Sequence, residues 1–358
     1  MTMPTLFDRI RGSLLGGAVG DALGAAVEFL PLAEIRERFG PEEVRDYAPA
    51  YGRRGAITDD TQMTLFTAEG VLRAWVRAEE RGICGVSGVI HHAYLRWLLT
   101  QGIRPEHLDQ RIGTDGWLFA TKALHSRRAP GNTCLSALRS SDSLTGPEIA
   151  RNNSKGCGGV MRVAPIGLFA GTIGDDDRVF GMAADAAALT HGHPSGYLSA
   201  GHLAVTIAAL LRGEHLPEAL DAADAPLRAR EHHAEVADAI TAARALAARG
   251  RPSPETLETL GEGWVAEEAL GLAVCCVLTA QSFSDGVLLA TNHSGDSDST
   301  AAITGNLLGA QFGVAAIPVT WLDELELRPE IERLAGDLHA ICTGQTTSEE
   351  AWDAYPGW

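Results

Sequence analysis

The six cysteines of this 358-residue chain, at positions 84, 134, 157, 275, 276 and 342, form no C-x-x-C pair, and two of them are neighbours in an apolar stretch. Neither a zinc ribbon nor a disulfide framework is therefore expected, and the compartment should be reducing, that is, cytoplasmic. Base is scarce as well: 29 Lys and Arg face 46 Asp and Glu, for a formal net charge of -17. A broad nucleic-acid-binding face, or one for anionic membranes, needs a basic surface, so neither is expected. No run reaches the ~18 apolar residues that cross a bilayer. Leu14 to Phe29 follows Arg9 and Arg11 in the manner of a signal peptide, yet Asp21 and Glu28 fall inside it, which marks a soluble helix. Strand-like alternation is nearly missing.

What remains reads as helix. Hydrophobic residues recur near a period of 3.6 over 6–28, 61–80, 86–100, 178–190, 196–212, 230–249, 264–282 and 299–312, and several of these stretches are rich in alanine. Gly-Pro at 40–41, Arg-Pro at 104–105, Ala-Pro-Gly at 129–131, Gly-His-Pro at 192–194 and Arg-Pro-Ser-Pro at 251–254 punctuate them, but none is long enough for a domain linker. One all-α domain over 1–358 follows, compact rather than solenoidal, since no fixed-period repeat is found. Within the first helix Gly12, Gly16, Gly20 and Gly24 recur every four residues, which weakens the helix and opens a groove for a second backbone. Small-residue stretches at 181–190 and 301–310 suggest the same close packing.

Three polar clusters carry chemistry. Thr58-Asp59-Asp60-Thr61 precedes an apolar-periodic helix; Thr58 suits an N-cap and the acids suit the helix dipole, a purely structural arrangement if it stood alone. Gly295-Asp296-Ser297-Asp298-Ser299-Thr300 also precedes a helix, with two carboxylates at i, i+2. An EF-hand would need a Glu at loop position 12, where Leu307 stands. If the two helix starts converge, four carboxylates repel unless cations lie between them, and hard oxygen ligands select Mg²⁺, Mn²⁺ or Ca²⁺. The third cluster, 152–162, contains Gly156, Gly158 and Gly159 and can turn amides toward an anion, though it matches neither a P-loop nor a dinucleotide fingerprint. Asp21 and Glu28, seven residues apart, fall two turns apart on nearly one face of the first helix. His191 and His193 have no third zinc ligand at a recognisable spacing, and Gly192 and Pro194 read as a helix stop. Trp264 fits either a core position at a helix start or a ring stacked on a ligand.

At these residues the chain resembles the ADP-ribosylglycohydrolase family. The motifs are Gly-Asp-Ala-Leu-Gly at 20–24 with Glu28 downstream, Thr-Asp-Asp-Thr at 58–61, Gly-x-Gly-Gly-x-Met-Arg at 156–162, Thr-His at 190–191, Gly-x-Gly at 261–263 and Gly-Asp-x-Asp at 295–298, in family order over residues 10–313. The resemblance implies a compact orthogonal helical bundle and, usually, a monomer. It implies a binuclear Mg²⁺ or Mn²⁺ site from Thr58, Asp59, Asp60, Asp296, Asp298 and Ser299, with Glu28 beside the scissile bond. The loop Ser154, Lys155, Gly156, Cys157, Gly158 and Gly159 would hold pyrophosphate, with Met161, Asp21, His191, Gly263 and Trp264 along the substrate pocket. Three positions depart from better-known members: Ser299 where many have Thr, Cys157 where Asn is common, and Lys155 where some carry an aromatic. Ser299 keeps the hydroxyl, and Lys155 offers phosphate a charge-assisted contact.

The implied reaction is hydrolysis at the anomeric carbon of an ADP-ribosyl group on a protein side chain, nucleobase or small conjugate, through an oxocarbenium-like state. Glu28 is the choice for general acid or base, with Asp59, Asp60 and Asp296 as alternative sites for the base. Two other readings use the same residues: an ADP-ribose-binding protein with a weakened site, and a metal-dependent pyrophosphohydrolase that would yield AMP. Retention of four clustered aspartates favours catalysis. The loop 31–57, with Tyr51, Arg53 and Arg54, is expected at the leaving-group side and carries no signature for the group itself.

Overall fold

The computed structural model describes residues 3–108 and 112–357. Among them there is no strand, only two isolated bridges, and eleven helices reach nine residues or more. In chain order these are α1 (Leu6–Gly24), α2 (Asp59–Arg81), α3 (Val86–Thr100), α4 (Asp176–Ala188), α5 (Pro194–Leu211), α6 (Leu216–Arg228), α7 (Ala234–Ala247), α8 (Ala266–Thr279), α9 (Phe283–Thr291), α10 (Ser297–Phe312) and α11 (Arg328–Cys342). One contiguous apolar core draws on all of them. Helix α5, 18 residues at mean hydropathy 1.2, is long and apolar enough to cross a membrane by composition, and 83% of it is buried inside the fold, as in a core helix.

All eight stretches read as helix from their periodicity are helical, with ends shifted by a few residues. One of these shifts matters for function. Helix α1 opens on a capping box between Thr5 and Asp8 and closes at Gly24, so Glu28 lies in the turn beyond the helix and not two turns along its face. Val27 is buried and Leu30 packs on the core, so the apolar pattern runs on through the turn and hides the stop. Similarly, the stretch read as one helix over 264–282 ends at Thr279, and Ser282 caps a separate α9 by accepting from the Asp285 amide.

The glycine ladder does what its spacing predicts. A Cβ on Gly12, Gly16 or Gly20 would stand 2.3, 2.4 and 2.0 Å from the main-chain oxygens of Gly309, Gly305 and Ala301, and one on Gly24 would stand 2.3 Å from Asp298 Cα. Helices α1 and α10 therefore cross backbone on backbone, the small-residue stretch at 301–310 being the partner of the glycine ladder. Asn306 fills the space left by Gly17 and donates to the Ser13 carbonyl at 2.8 Å. This crossing presses the last turn of α1, with Asp21, and the turn carrying Glu28 against the start of α10.

Candidate active site

Asp21 anchors the first of the two acidic helix starts. Both of its carboxylate oxygens accept from the Thr58 amide at 3.0 Å, and one also takes the Thr61 amide at 3.1 Å and the Thr61 hydroxyl. It is wholly buried, and burial lifts its pKa to about 6 against the pull of those hydrogen bonds. Thr58 caps α2 by accepting from the Asp60 amide at 3.3 Å. The Asp59 amide donates to the Arg128 carbonyl at 3.0 Å, and the Asp59 carboxylate receives the Gly131 amide at 3.3 Å. At the start of α10 both Asp296 and Asp298 accept from the Ser299 amide, at 3.4 and 2.9 Å.

The two starts open onto a cavity of about 510 Å³, a size typical of small-molecule sites. Glu28, Asp59, Asp60, Asp296 and Asp298 line it, and Arg127 is the sole Lys or Arg among the lining residues. Burial pushes Asp59, Asp60 and Asp298 well above the usual carboxylate range, and the neighbouring acids add to the effect. Glu28 rises to about 9, through burial and then the fields of Asp296 and Asp59. Asp60 Oδ1 is buried without a hydrogen-bond partner. As they stand, no three His, Cys, Asp or Glu side chains among the described residues converge closely enough to chelate an ion. The acids ring the cavity, and an orphaned buried carboxylate oxygen facing hard oxygen donors is what a divalent cation fits.

The opposite wall is the glycine loop. Gly156 forms an isolated bridge with Val265, and the Cys157 amide donates to the Trp264 carbonyl at 3.2 Å. The Cys157 thiol donates to Asp296 Oδ2 at 2.8 Å, so this loop touches the acids directly. His191 stands behind Gly156 and Gly158, and burial, aided by Arg162, holds its pKa near 3. Arg162 donates to Thr190 Oγ1 at 2.7 Å, and that hydroxyl lies 2.9 Å from His191 Nδ1. With the hydroxyl donating to Nδ1, the proton of the neutral ring sits on Nε2, toward the loop.

Twelve of the residues singled out from sequence line the cavity: Glu28, Asp59, Asp60, Gly156, Cys157, Gly158, Met161, His191, Trp264, Asp296, Asp298 and Ser299. Asp21, Thr58, Ser154, Lys155, Gly159 and Gly263 stand outside the lining. Lys155 does not turn toward phosphate, because its ammonium is held by Glu267 and by Glu235 at 3.1 Å. His193 is an N-cap, accepting from the Ser195 amide at 3.2 Å. Sequence reasoning missed Arg127, the stretch Ala129 to Cys134 and Phe29, all of which line the cavity. Ala-Pro-Gly at 129–131 was the available signal, and it reads as mere punctuation. Ala129 (φ +52°) and Phe29 (φ +70°) are in the left-handed region, and non-glycine residues held there cluster at functional sites.

The chain as a whole is similar to known proteins. The family model described as ADP-ribosylglycohydrolase matches residues 2–348. The chain is 27% identical to the ADP-ribosylarginine hydrolase Tri1 of Serratia proteamaculans, over 92% of this chain and 79% of that one. It is 26% identical to the ADP-ribosyl-[dinitrogen reductase] glycohydrolase of Rhodospirillum rubrum, over 93% and 95%. Among solved structures, an ADP-ribosylglycohydrolase-related protein complex superposes with a TM-score of 0.67 at 29% identity, covering 94% of this chain and 99% of that one. An all-helical fold, a family match across nearly the whole chain and relatives that cleave ADP-ribosyl bonds lead to one conclusion: the chain belongs to the ADP-ribosylglycohydrolase family and is a glycosidic-bond hydrolase.

Proposed function

We propose that the protein releases ADP-ribose by cleaving the bond at the anomeric carbon of an ADP-ribosylated substrate, with two Mg²⁺ or Mn²⁺ ions held among Asp59, Asp60, Asp296, Asp298, Thr58 and Ser299. The observation that carries this reading is the ring of buried acids around one cavity, with no countercharge but Arg127 and with Asp60 Oδ1 unpartnered. Such acids repel unless cations enter, and the side chains would close around them by changes of rotamer. When bound, the ions would grip the ribose hydroxyls and polarise a water.

The chain's own residues would supply the remaining chemistry. Water adds at the anomeric carbon, the bond to the leaving atom breaks, and that atom takes a proton. Glu28, on the turn at the cavity edge, would give or take that proton as general acid or base. Asp21, behind the wall, would keep Thr58 to Thr61 in place through its four hydrogen bonds. The glycine loop and His191 Nε2 would face the diphosphate. A cytoplasmic location belongs to the same proposal, supported by six cysteines that all remain free.

The test is product analysis by mass spectrometry. Arginine-, serine- and nucleobase-linked ADP-ribose and O-acetyl-ADP-ribose are each incubated with Mg²⁺ or Mn²⁺, beside an EDTA control. Relatives named for arginine-linked ADP-ribose put that substrate first. Free ADP-ribose that disappears with EDTA is the expected result; AMP would instead mean pyrophosphate cleavage.

A further inference from the structure

Sulfur gathers on one wall of the acidic cavity, where Cys134, Cys157 and Met161 all line it. Cys134 packs under Gly158, whose Cβ position lies 2.9 Å from its sulfur, and it accepts from Arg162 at 3.4 Å. A guanidinium so close keeps cations off that sulfur. Cys157 has the opposite surroundings. Its thiol donates to Asp296 Oδ2 at 2.8 Å, and the Ser299 hydroxyl donates to its sulfur at 3.7 Å. The field of Asp60 reaches the thiol as well, and Asp60, only 3% exposed, keeps its Oδ1 without a partner. A serine or asparagine would donate to Asp296 more strongly than a thiol does, so hydrogen bonding alone does not account for sulfur at this position.

Hard cations have little use for sulfur, whereas zinc and its softer neighbours prefer it. A tetrahedral zinc ion holds sulfur at about 2.3 Å and oxygen at about 2.0 Å, which sets about 3.5 Å between the two ligands. The separations of Cys157 Sγ from its two oxygen neighbours, 2.8 and 3.7 Å, bracket that figure. We propose that Cys157, Asp296 and Asp60 form a binding site for a thiophilic divalent cation of the zinc class, and that such an ion shuts out the Mg²⁺ or Mn²⁺ pair by taking two of its carboxylates. The thiol proton passes to solvent as the sulfur–metal bond forms, and Asp60 completes the ligand set by a change of rotamer. The sulfur bond stands without the two-ion hydrolase reading, and only the competition rests on it.

The experiment reads the sulfur–metal bond without substrate. EDTA-stripped full-length protein is titrated under argon with Co²⁺, a spectroscopic stand-in for Zn²⁺, as the wild type, Cys157→Ser, Cys157→Asn and Cys134→Ser. The wild type should develop a near-ultraviolet sulfur-to-cobalt charge-transfer band that saturates at one ion per chain and is bleached by one equivalent of Zn²⁺. Both Cys157 variants should lose the band and bind Zn²⁺ at least tenfold more weakly, whereas Cys134→Ser should keep both. X-ray absorption at the zinc edge of the wild type should find one sulfur at about 2.3 Å, which decides the matter even where a variant fails to fold. Zn²⁺ should also stop Mn²⁺-supported release of ADP-ribose, and Cys157→Asn should need about tenfold more of it; release that Zn²⁺ leaves untouched overturns the competition. Co²⁺ taken up without the band, or a band that survives both Cys157 variants, overturns the sulfur site and leaves the hydrolase standing. No uptake at all overturns the site and the two-ion reading together. A sulfur-bound ion in a protein that frees ADP-ribose from nothing supports the site and removes the hydrolase.

Discussion

Glu69 and Asp60 are nine residues apart on α2, about 14 Å along its axis, and both are buried. Glu69 is clasped by Arg73 at 3.0 Å and Arg96 at 2.9 Å, and Arg73 goes on to Asp115 at 3.1 Å. Asp60 faces Asp59, Asp21 and Asp296, and one of its oxygens has no partner. Burial of acids is thus common to the start and the middle of the helix, and only the missing countercharge separates them. A buried acid with its guanidinium closes a structural account, whereas a buried acid among acids leaves a cation to be supplied from outside.

The contrast can be broken most severely at its compensated end. Arg96→Met leaves Glu69 with half its countercharge, and urea unfolding should show a loss of about 3–5 kcal/mol that added Mg²⁺ or Mn²⁺ does not restore. Next comes the backbone crossing that supports the uncompensated end. Gly20→Ala puts a methyl 2.0 Å from the Ala301 carbonyl, which should cost about 1–3 kcal/mol by overpacking and also blunt the response to divalent ions. Asp298→Asn should act with the opposite sign: the metal-free protein gains about 1 kcal/mol as like charges are relieved, while ion-induced stabilisation vanishes and hydrolysis falls about 10²-fold or more. Equal destabilisation by Asp298→Asn and Arg96→Met would erase the distinction.

A test of another kind uses pH at a neutral buried group on α3. Burial lowers His91 from 6.5 to about 4, and Leu144 holds its Nδ1 at 2.9 Å. The folded pKa lies below the unfolded one, so its contribution is complete above 6.5 and is lost as pH falls toward 4. His91→Asn should remove up to about 1.4 kcal/mol per pH unit from the slope of stability over that window. An unchanged slope would mean that His91 is not held neutral.

Periodicity makes the long helices legible because each buries one stripe, and the glycine ladder is legible because its four-residue spacing has a geometric consequence. The same logic fails at Gly24, where buried Val27 carries the apolar pattern past the helix end and misplaces Glu28. It also misses α6, which holds Pro226, and α11, which carries Pro329 in its first turn, since proline reads as a break. Among site residues the acids are legible by their crowding before two helix starts. Lys155 is misread because its partners Glu235 and Glu267 lie 80 and 112 residues away. Phe29 and the turn at Ala129 are invisible for a different reason: an aromatic and an alanine announce no chemistry until their backbone is seen to be left-handed.

The most direct measurement is isothermal titration calorimetry of EDTA-stripped protein with Mn²⁺ and with Mg²⁺, on the wild type, Asp298→Asn and Arg96→Met. The account predicts two ions per wild-type chain, none or one weakly held in Asp298→Asn, and two again in whatever fraction of Arg96→Met remains folded. Wild-type protein that takes up no divalent ion, or Asp298→Asn that binds two as tightly as the wild type, would contradict it.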